Sequence, residues 1–391
     1  MENQDLSILI FNDFLFHREG DSIYTDDSYI IFADLVGKNF KEKSFLGRIS
    51  QNKKDERSYE TPIPPSDIIE IPYYSSLKYF PFFNVFKTFR LVKTINSVIK
   101  KSDILWLAWP HPISLLILFL QIGKGKKIIL NVRCDLAELV KIRYSGIFRF
   151  LASSFIKLSN GLLPFLVKDF TVLVTGSELK EAYSKLSPNT YDIRNTVISN
   201  NSFTMPDRKK IDPIHLLFVG RLEAEKGIEY LLEAIPLIQK KHPVTLRIVG
   251  DGINEETLVA LSKELKITDS VEFYGYVPFG KELFSHYINS DIFVLPSLSE
   301  GFPRVIDEAR GFGLPIVCTN VGGMKTELRD HENCLKVEAR SSEDISRKII
   351  TLIENKKLYK SISDKLYKES LTNTIEHQSA KVTSIISACY D

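Results

Sequence analysis

The run Ser297 to Val317, SLSEGFPRVIDEARGFGLPIV, constrains this chain more than any other stretch. Asp291 to Leu295, just before it, is a short apolar run that reads as a buried parallel strand, too short for a helix. Pro296 ends that strand, and Glu300-Gly301-Phe302 forms a strand-to-helix loop. Pro303 suits the first helical position, where its missing N–H costs nothing. The helix is expected to run to about Gly311 or Gly313, where Pro315 stops it and the next strand opens. Two carboxylates, Glu300 and Glu308, then flank the mouth of a helix at the carboxyl end of a strand, the edge where open α/β sheets bind ligands. Free N–H groups at a helix start suit oxygen-rich ligands. A pair of carboxylates that accept from hydroxyls points to a polyol such as a sugar or a ribose. Taken singly, each glutamate also reads as an ordinary solvated charge.

A second constellation precedes it. Gly220-Arg221-Leu222-Glu223-Ala224-Glu225-Lys226-Gly227 follows the strand His215 to Val219 and opens a helix. Two cations and a helix N-terminus make an anion site. Gly250, in the turn after Val249, lets backbone approach a ligand. Between these points the chain alternates strand and helix. Strands are expected near 215–219, 244–249, 271–273, 291–295, 315–318 and 335–337, with helices near 227–240, 255–265, 280–289, 303–311, 324–329 and 343–354. That pattern means βαβ units and a parallel sheet.

Together these motifs resemble the signature of family-4 retaining glycosyltransferases of the GT-B fold. The residues that carry the resemblance are Glu300-Gly301-Phe302-Pro303 through Glu308-Ala309, Gly313-x-Pro315, and Gly220-Arg221 to Lys226-Gly227. The resemblance implies an α/β architecture of two Rossmann-like domains facing a cleft, with a last helix crossing back to the first domain. It implies a nucleotide-sugar donor and a glycan or lipid-linked acceptor, as in bacterial surface-polysaccharide synthesis. Arg221 and Lys226 would stabilise the departing diphosphate, Glu300 would hold the sugar, and Glu308 the ribose. Gly301, Phe302 and Pro303 would meet sugar hydroxyls, and Tyr276 and Val277 would lie in the loop that meets the nucleobase. No cofactor is implied beyond the nucleoside-diphosphate sugar as co-substrate, and no metal, since two cations take its role.

The domains are expected at 1–196 (acceptor side), 197–370 (donor side) and 371–391 (crossover helix). In the first, Leu6 to Phe11 reads as a strand and residues 12–20 as a loop. The resembled family often carries paired glycines there. This chain has none, so Asn12 and its neighbours would face the acceptor instead. A helix is expected over Asp27 to Val36 and strands over Phe45 to Ser50, Ile68 to Pro72, Asp103 to Trp109, Lys127 to Val132 and Thr171 to Thr175, the last of this half. Val197 to Asn201 resembles the strand entering the second half. His111, in the turn Pro110-His111-Pro112, is either a base or sugar-binding donor, or simply a polar turn residue. Many relatives have a His after the Lys127 to Val132 strand. Here Arg133 and Asp135 stand nearby, as phosphate clamp and hydroxyl acceptor, or as no more than a capped helix start.

Charge bears on partners. The net is only +2, yet Lys78 to Lys168 holds fifteen Lys and Arg against three acids, interleaved with aromatics. This suggests an anionic membrane surface, with a solvated basic face as the other reading. Nothing points to nucleic acid. No signal peptide opens the chain, and its most apolar run, Ile113 to Ile122, is shorter than the roughly 20 residues a span needs. A cytoplasmic protein, peripheral on the inner face of the membrane, is expected. Four cysteines without metal spacing fit a reducing compartment. A dinucleotide oxidoreductase is disfavoured, because no Gly-x-Gly-x-x-Gly turn follows the first strand. A catalytically inactive nucleotide-sugar scaffold stays open as the alternative to an enzyme.

Overall fold

The computed structural model describes residues 5–50, 58–74, 84–133, 140, 146–167, 169–194, 196–202, 205–206, 213–300 and 303–389. The expectations for Asp135, Gly301 and Phe302, and for part of the basic, aromatic-rich stretch from Lys78 to Lys168, fall outside these residues.

The chain divides into two units, residues 1–197 with 375–391, and residues 198–374. The first unit is built in the order β1 (Ser7–Glu19), β2 (Ser22–Thr25), α1 (Tyr29–Gly37), β3 (Glu42–Ser50), β4 (Tyr59–Glu60), β5 (Ile68–Ile71), α2 (Val85–Lys101), β6 (Ile104–Ala108), α3 (Pro112–Gln121), β7 (Lys127–Val132), α4 (Gly146–Leu166), β8 (Phe170–Val174), α5 (Ser177–Ser184) and β9 (Thr190–Asp192). Its parallel strands stand in the order β5, β3, β1, β6, β7, β8, β9. Ile104 to Leu107 and Ile128 to Val132 are buried at every position, as strands covered on both faces must be.

The first expected loop is a strand. β1 continues to Glu19, carrying Phe14 and Phe16 into the core and turning back through β2 as a hairpin. Alternate apolar residues among polar ones satisfy the period of a strand, and the expected loop rested on the polar ones alone. The turn-forming feature in that stretch is a bulge between Phe11 and Phe14, where Asp13 takes a φ of 54°. β9 is a further strand beyond the expected last one. Among the described residues Val197 to Asn201 pairs with no strand; the chain leaves through a 3₁₀ turn over Asn200–Ser202 instead.

The second unit holds β10 (Ile214–Val219), α6 (Ile228–Gln239), β11 (Val244–Val249), α7 (Glu255–Glu264), β12 (Val271–Phe273), α8 (Lys281–Ile288), β13 (Ile292–Leu295), α9 (Arg304–Gly311), β14 (Ile316–Thr319), α10 (Met324–Glu327), β15 (Leu335–Val337), α11 (Ser342–Glu354) and α12 (Lys356–Ser370). All six strands are parallel, in the order β12-β11-β10-β13-β14-β15. The order reverses between β10 and β13, which makes their carboxyl ends the switch point of a doubly wound sheet. Pro303 caps α9 rather than entering it: its ψ of 127° is extended, and the helix begins at Arg304. α12 is a helix beyond the expected ones, because its Lys-rich surface obscures the buried stripe Ile362, Leu366 and Ser370. The last helix, α13 (Ile375–Ser387), belongs to the first unit, where it packs on α1 through Ile375, Val382 and Ile386.

Candidate functional site

Four loops at the carboxyl edge of the second sheet are tied together by backbone bonds. Gly220 N donates to Val249 O (2.9 Å), Leu222 N to Asp251 O (2.8 Å) and Gly250 N to Gly275 O (2.7 Å). Leu298 N donates to Glu225 O (2.7 Å), which joins the loop after β13 to the loop after β10. Glycine is required at two of these crossings. A Cβ on Gly250 would lie 2.0 Å from the Gly220 carbonyl oxygen, and one on Gly227 would lie 2.4 Å from that of Pro296. Both residues have positive φ, 133° and 61°.

This bracing brings Lys226 to Glu300. The Nζ of Lys226 donates to Oε1 of Glu300 at 2.6 Å, and the Ser297 hydroxyl donates to the same oxygen at 2.8 Å. Both side chains are mostly covered, at 13% and 9% exposure. Ser297 is fixed in turn through its carbonyl, which accepts from the Thr319 hydroxyl. An ammonium, a carboxylate and a hydroxyl thus stand together at the switch point. The ammonium can neutralise an anion, and the carboxylate can accept from hydroxyls.

Arg221 stands differently. Its guanidinium meets Glu223 Oε1 at 2.6 Å and Glu225 Oε1 at 3.6 Å, and it is half exposed. The carboxyl of Glu225 is held below its usual range by a hydrogen bond with Glu223, burial opposing, with Arg221 and Lys226 adding to the lowering. Arg221 is therefore spread over two acids of its own loop, a pairing that the motif does not show.

Glu308 lies inside the second turn of α9, buried, and accepts from the Tyr287 hydroxyl at 2.7 Å. Burial raises its pKa above the usual carboxylate value, with Tyr287 and Arg304 working against that rise. Burial, with the Glu308 charge behind it, also drives the Tyr287 phenol well up. Two residues on, Arg310 is almost fully buried and donates to Asp307 Oδ1 (3.1 Å) and to the Glu327 carbonyl (3.1 Å). Tyr287 lies outside the motif that carries Glu308, and Arg310 lies inside it with no role assigned from the sequence. Tyr287 sits one helix away, and only its alignment with Glu308 in space reveals it. Tyr276 is half exposed beside Gly275, whereas Val277 packs on the core, where its side chain is partly covered.

In the first unit the described acceptor-side candidates, Asn12, His111 and Arg133, are all engaged. Asn12 is buried in β1, and its Oδ1 accepts from Asn131 Nδ2 at 3.3 Å. His111 caps α3, its Nδ1 accepting from Ile113 N at 3.2 Å, and its ring lies edge-on to Phe11. Arg133 lies over the Tyr29 ring at 4.5 Å and 3.6 Å from Asp27 Oδ2. Asp13, which the sequence reading placed only within a loop, is the centre of this edge. Its carboxylate meets Arg48 Nε at 3.2 Å and His111 Nε2 at 3.7 Å, and accepts from the Tyr74 hydroxyl. Burial works to raise the Asp13 pKa, but the bond and charge of His111, the charge of Arg48 and the Tyr74 hydroxyl bring it below the usual value.

Among the described residues no group of three or more His, Cys, Asp or Glu could hold a metal ion, and no helix is long and apolar enough to cross a membrane.

Residues 203–369 match the family model for group 1 glycosyl transferases. An uncharacterized glycosyltransferase of Haemophilus influenzae is 38% identical over 192 residues, covering 48% of this chain and 54% of that protein. A putative teichuronic acid biosynthesis glycosyltransferase, TuaC of Bacillus subtilis, is 35% identical over 152 residues, covering 39% of this chain and 36% of the relative. The chain thus spans about half or less of the curated relatives it matches. Among solved structures, HepE from Anabaena in complex with UDP superposes with a TM-score of 0.71 at 16% identity, covering 98% of this chain and 100% of the other. Sucrose-phosphate synthase from Thermosynechococcus elongatus gives 0.69 at 18%, covering 98% and 99%. The fold is GT-B, with two Rossmann-like units.

Proposed function

We propose that this protein is a glycosyltransferase that moves a hexosyl group from a nucleoside-diphosphate sugar to a glycan or lipid-linked acceptor, with retention at the anomeric carbon. The observation that carries the reading is the covered Lys226–Glu300 pair at the switch point of the second sheet. Breaking the glycosidic bond leaves negative charge on the diphosphate, and a preorganised ammonium in a sheltered site stabilises that charge as it develops. Lys226 supplies it, and the half-exposed Arg221 swings from Glu223 to the outer phosphate. Glu300, oriented by Ser297, then accepts from a sugar hydroxyl and holds the reacting carbon in place. Glu308 holds the ribose, which requires its bond from Tyr287 to be shared or exchanged. Gly220 and Gly250 let backbone approach the donor, Tyr276 and Val277 meet the base, and Gly301, Phe302 and Pro303 meet sugar hydroxyls. The reaction proceeds without a metal, because the two cations neutralise the leaving group.

The Anabaena neighbour was solved with UDP and with UDP-glucose, so uridine donors are the first to try. The experiment is a donor panel read by released nucleotide, with product anomer assigned by NMR. Turnover of at least one donor, lost in Lys226→Ala, supports the reading. Binding without turnover of any donor, hydrolysis included, leaves the scaffold reading. One observation favours that second reading: Arg221 and Lys226 both face carboxylates rather than open space.

For location, we place the protein in the cytoplasm, at an anionic membrane surface where a lipid-linked acceptor would lie. The support is the charge of the first unit.

A further inference from the structure

α2 is amphipathic in an unusual way. Leu91, Ile95, Val98 and Ile99 are its buried stripe, and they seat it on the first sheet. The opposite face, by the 3.6-residue period, carries Phe86, Phe89, Lys93 and Lys100. Phe86 is 88% exposed and Phe89 71%, where a solvated helix face would carry polar residues. The helix holds five cations (Lys87, Arg90, Lys93, Lys100 and Lys101) and no acid, and among the described residues none of the five forms an ion pair.

The flank of the same helix borders a cavity of about 540 Å³. Arg90, Lys93 and Lys101 line it, with the hydroxyls of Thr94 and Ser97 between them and Ser44 opposite. Glu42 is the acid in the wall. Phe86 and Phe89 lie one turn before Arg90 and Lys93, at i and i+4, so each ring neighbours a cation of the cavity. α3 touches both α2 and α4, so the three form one outer layer. α4 exposes Ile147, Phe150 and Phe165 and carries Arg149 and Lys157 with no acid.

We propose that this layer, led by α2, docks on the phosphate-bearing face of an anionic lipid bilayer, with the α2 cavity receiving lipid headgroup phosphate and Phe86 and Phe89 entering the interface. Two kinds of complementarity meet at one place. Exposed rings are unfavourable in water and favourable at the acyl boundary, and unpaired cations beside them find their partners in headgroup phosphates. Neither a protein groove nor a free phosphate accounts for both. The proposal specifies the lipid partner of the acceptor side and rests on the glycosyltransferase reading only for its purpose.

The test is flotation of the full chain with vesicles of phosphatidylcholine alone and of phosphatidylcholine mixed with phosphatidylglycerol, combined with hydrogen exchange. The chain is expected to float only with the mixed vesicles, less so as salt rises, and to gain protection along α2. The triple variant Arg90→Gln, Lys93→Gln, Lys101→Gln should bind about a hundredfold more weakly, from about 1 kcal/mol per cation near the surface. Phe86→Ser with Phe89→Ser should weaken binding at high salt as well as low. All five side chains lie on the exposed face or in the cavity wall, so unchanged thermal midpoints are expected. Equal flotation with both vesicle types, an unaffected triple variant, or protection confined to other elements would overturn the proposal. Release by inorganic phosphate at the concentration of lipid phosphate would show a free-phosphate site and overturn it too. Nucleotide binding measured by calorimetry without vesicles keeps this failure separate from failure of the glycosyltransferase reading.

Discussion

The ammonium of Lys226 lies 2.6 Å from the carboxylate of Glu300, although 74 residues separate them in the chain. The pair is held from both sides, by the Leu298–Glu225 backbone bond and by the Ser297 hydroxyl. A contact so supported positions both charges before any ligand arrives. Lys226→Ala is therefore expected to lower kcat by about 10²–10³, the loss typical of one preorganised donor to a developing anion. Glu300→Gln keeps the shape and removes the charge, and should raise KM more than Lys226→Ala does. Initial rates of nucleotide release across donor concentrations separate the two effects. A kcat within twofold of wild type in both variants would remove the pair from the chemistry.

Glu308 gives a pH signature. Its folded pKa is raised above the ordinary value of 4.5 by burial, so the native state holds the proton more tightly than the unfolded chain. Its contribution to stability is therefore complete below 4.5 and is lost as pH rises through the raised value. Glu308→Gln should remove that downward limb, gaining stability relative to wild type at neutral pH compared with acid pH. Tyr287→Phe strips the buried carboxylate of its donor and should cost about 1–3 kcal/mol, more at neutral than at acid pH. Urea unfolding at a series of pH values reads both. Parallel stability curves for Glu308→Gln and wild type would contradict the assignment.

Much of the second unit was legible because its strands are continuous apolar runs and its loops carry glycines where backbones cross. β10 to β15 were placed within a residue or two, and Gly220, Lys226, Glu300 and Glu308 stand in the loops and helix where the motifs put them. What the sequence hid were relations across space. Tyr287 reads as a core aromatic, and nothing local links it to Glu308. The partners of Arg221, Glu223 and Glu225, were legible as acids but not as partners. The first unit was harder because β1 mixes polar and apolar residues through its bulge. Asn12 and Asp13 are expected in a loop and His111 in a turn, whereas β1 continues for thirteen residues, so that Asn12 is buried within it, Asp13 is half-buried at its bulge and His111 packs against it.

Two glycines with positive φ allow strain and clash to be told apart. Gly250 (φ 133°) would set its Cβ 2.0 Å from the Gly220 carbonyl oxygen, whereas Gly280 (φ 144°) would meet nothing within 4 Å. Gly280→Ala should therefore cost only the backbone term, about 1–2 kcal/mol. Gly250→Ala must also force apart the loops that are joined at Leu222 and Asp251, and should lose several degrees more in Tm. It should also weaken nucleotide binding, which Gly280→Ala leaves near normal. Calorimetric scanning with a nucleotide titration measures both. Equal losses in the two variants would mean that the loops yield to a methyl group and do not brace the site.

Asp13 offers the opposite pH sign in the first unit. Its pKa is lowered below 3.8, because His111, Arg48 and Tyr74 together outweigh the burial that would raise it. A depressed carboxyl pKa contributes stability that is present above the unfolded value and is lost as pH falls through the folded one. Acid should thus loosen this edge, and Asp13→Asn should flatten the stability curve below pH 3.8 while lowering it at neutral pH. The neutral-pH cost should be about 1–3 kcal/mol, below that of a fully buried pair because the Asp13 side chain is 31% exposed and partly screened. Arg48 explains why the cost does not vanish: its Nη1 donates to the Tyr74 carbonyl at 2.6 Å and its Nη2 to the Asp13 carbonyl at 3.1 Å, so it stays in place after its carboxylate is gone. Tyr74→Phe removes one bond to Asp13 and keeps the ring under the Arg48 guanidinium, 4.4 Å away, so it should cost less than Asp13→Asn. Urea midpoints of the two variants, at neutral and acid pH, measure this order. A Tyr74→Phe loss equal to or larger than that of Asp13→Asn would place the stabilisation in the phenol contact rather than in the charge of Asp13.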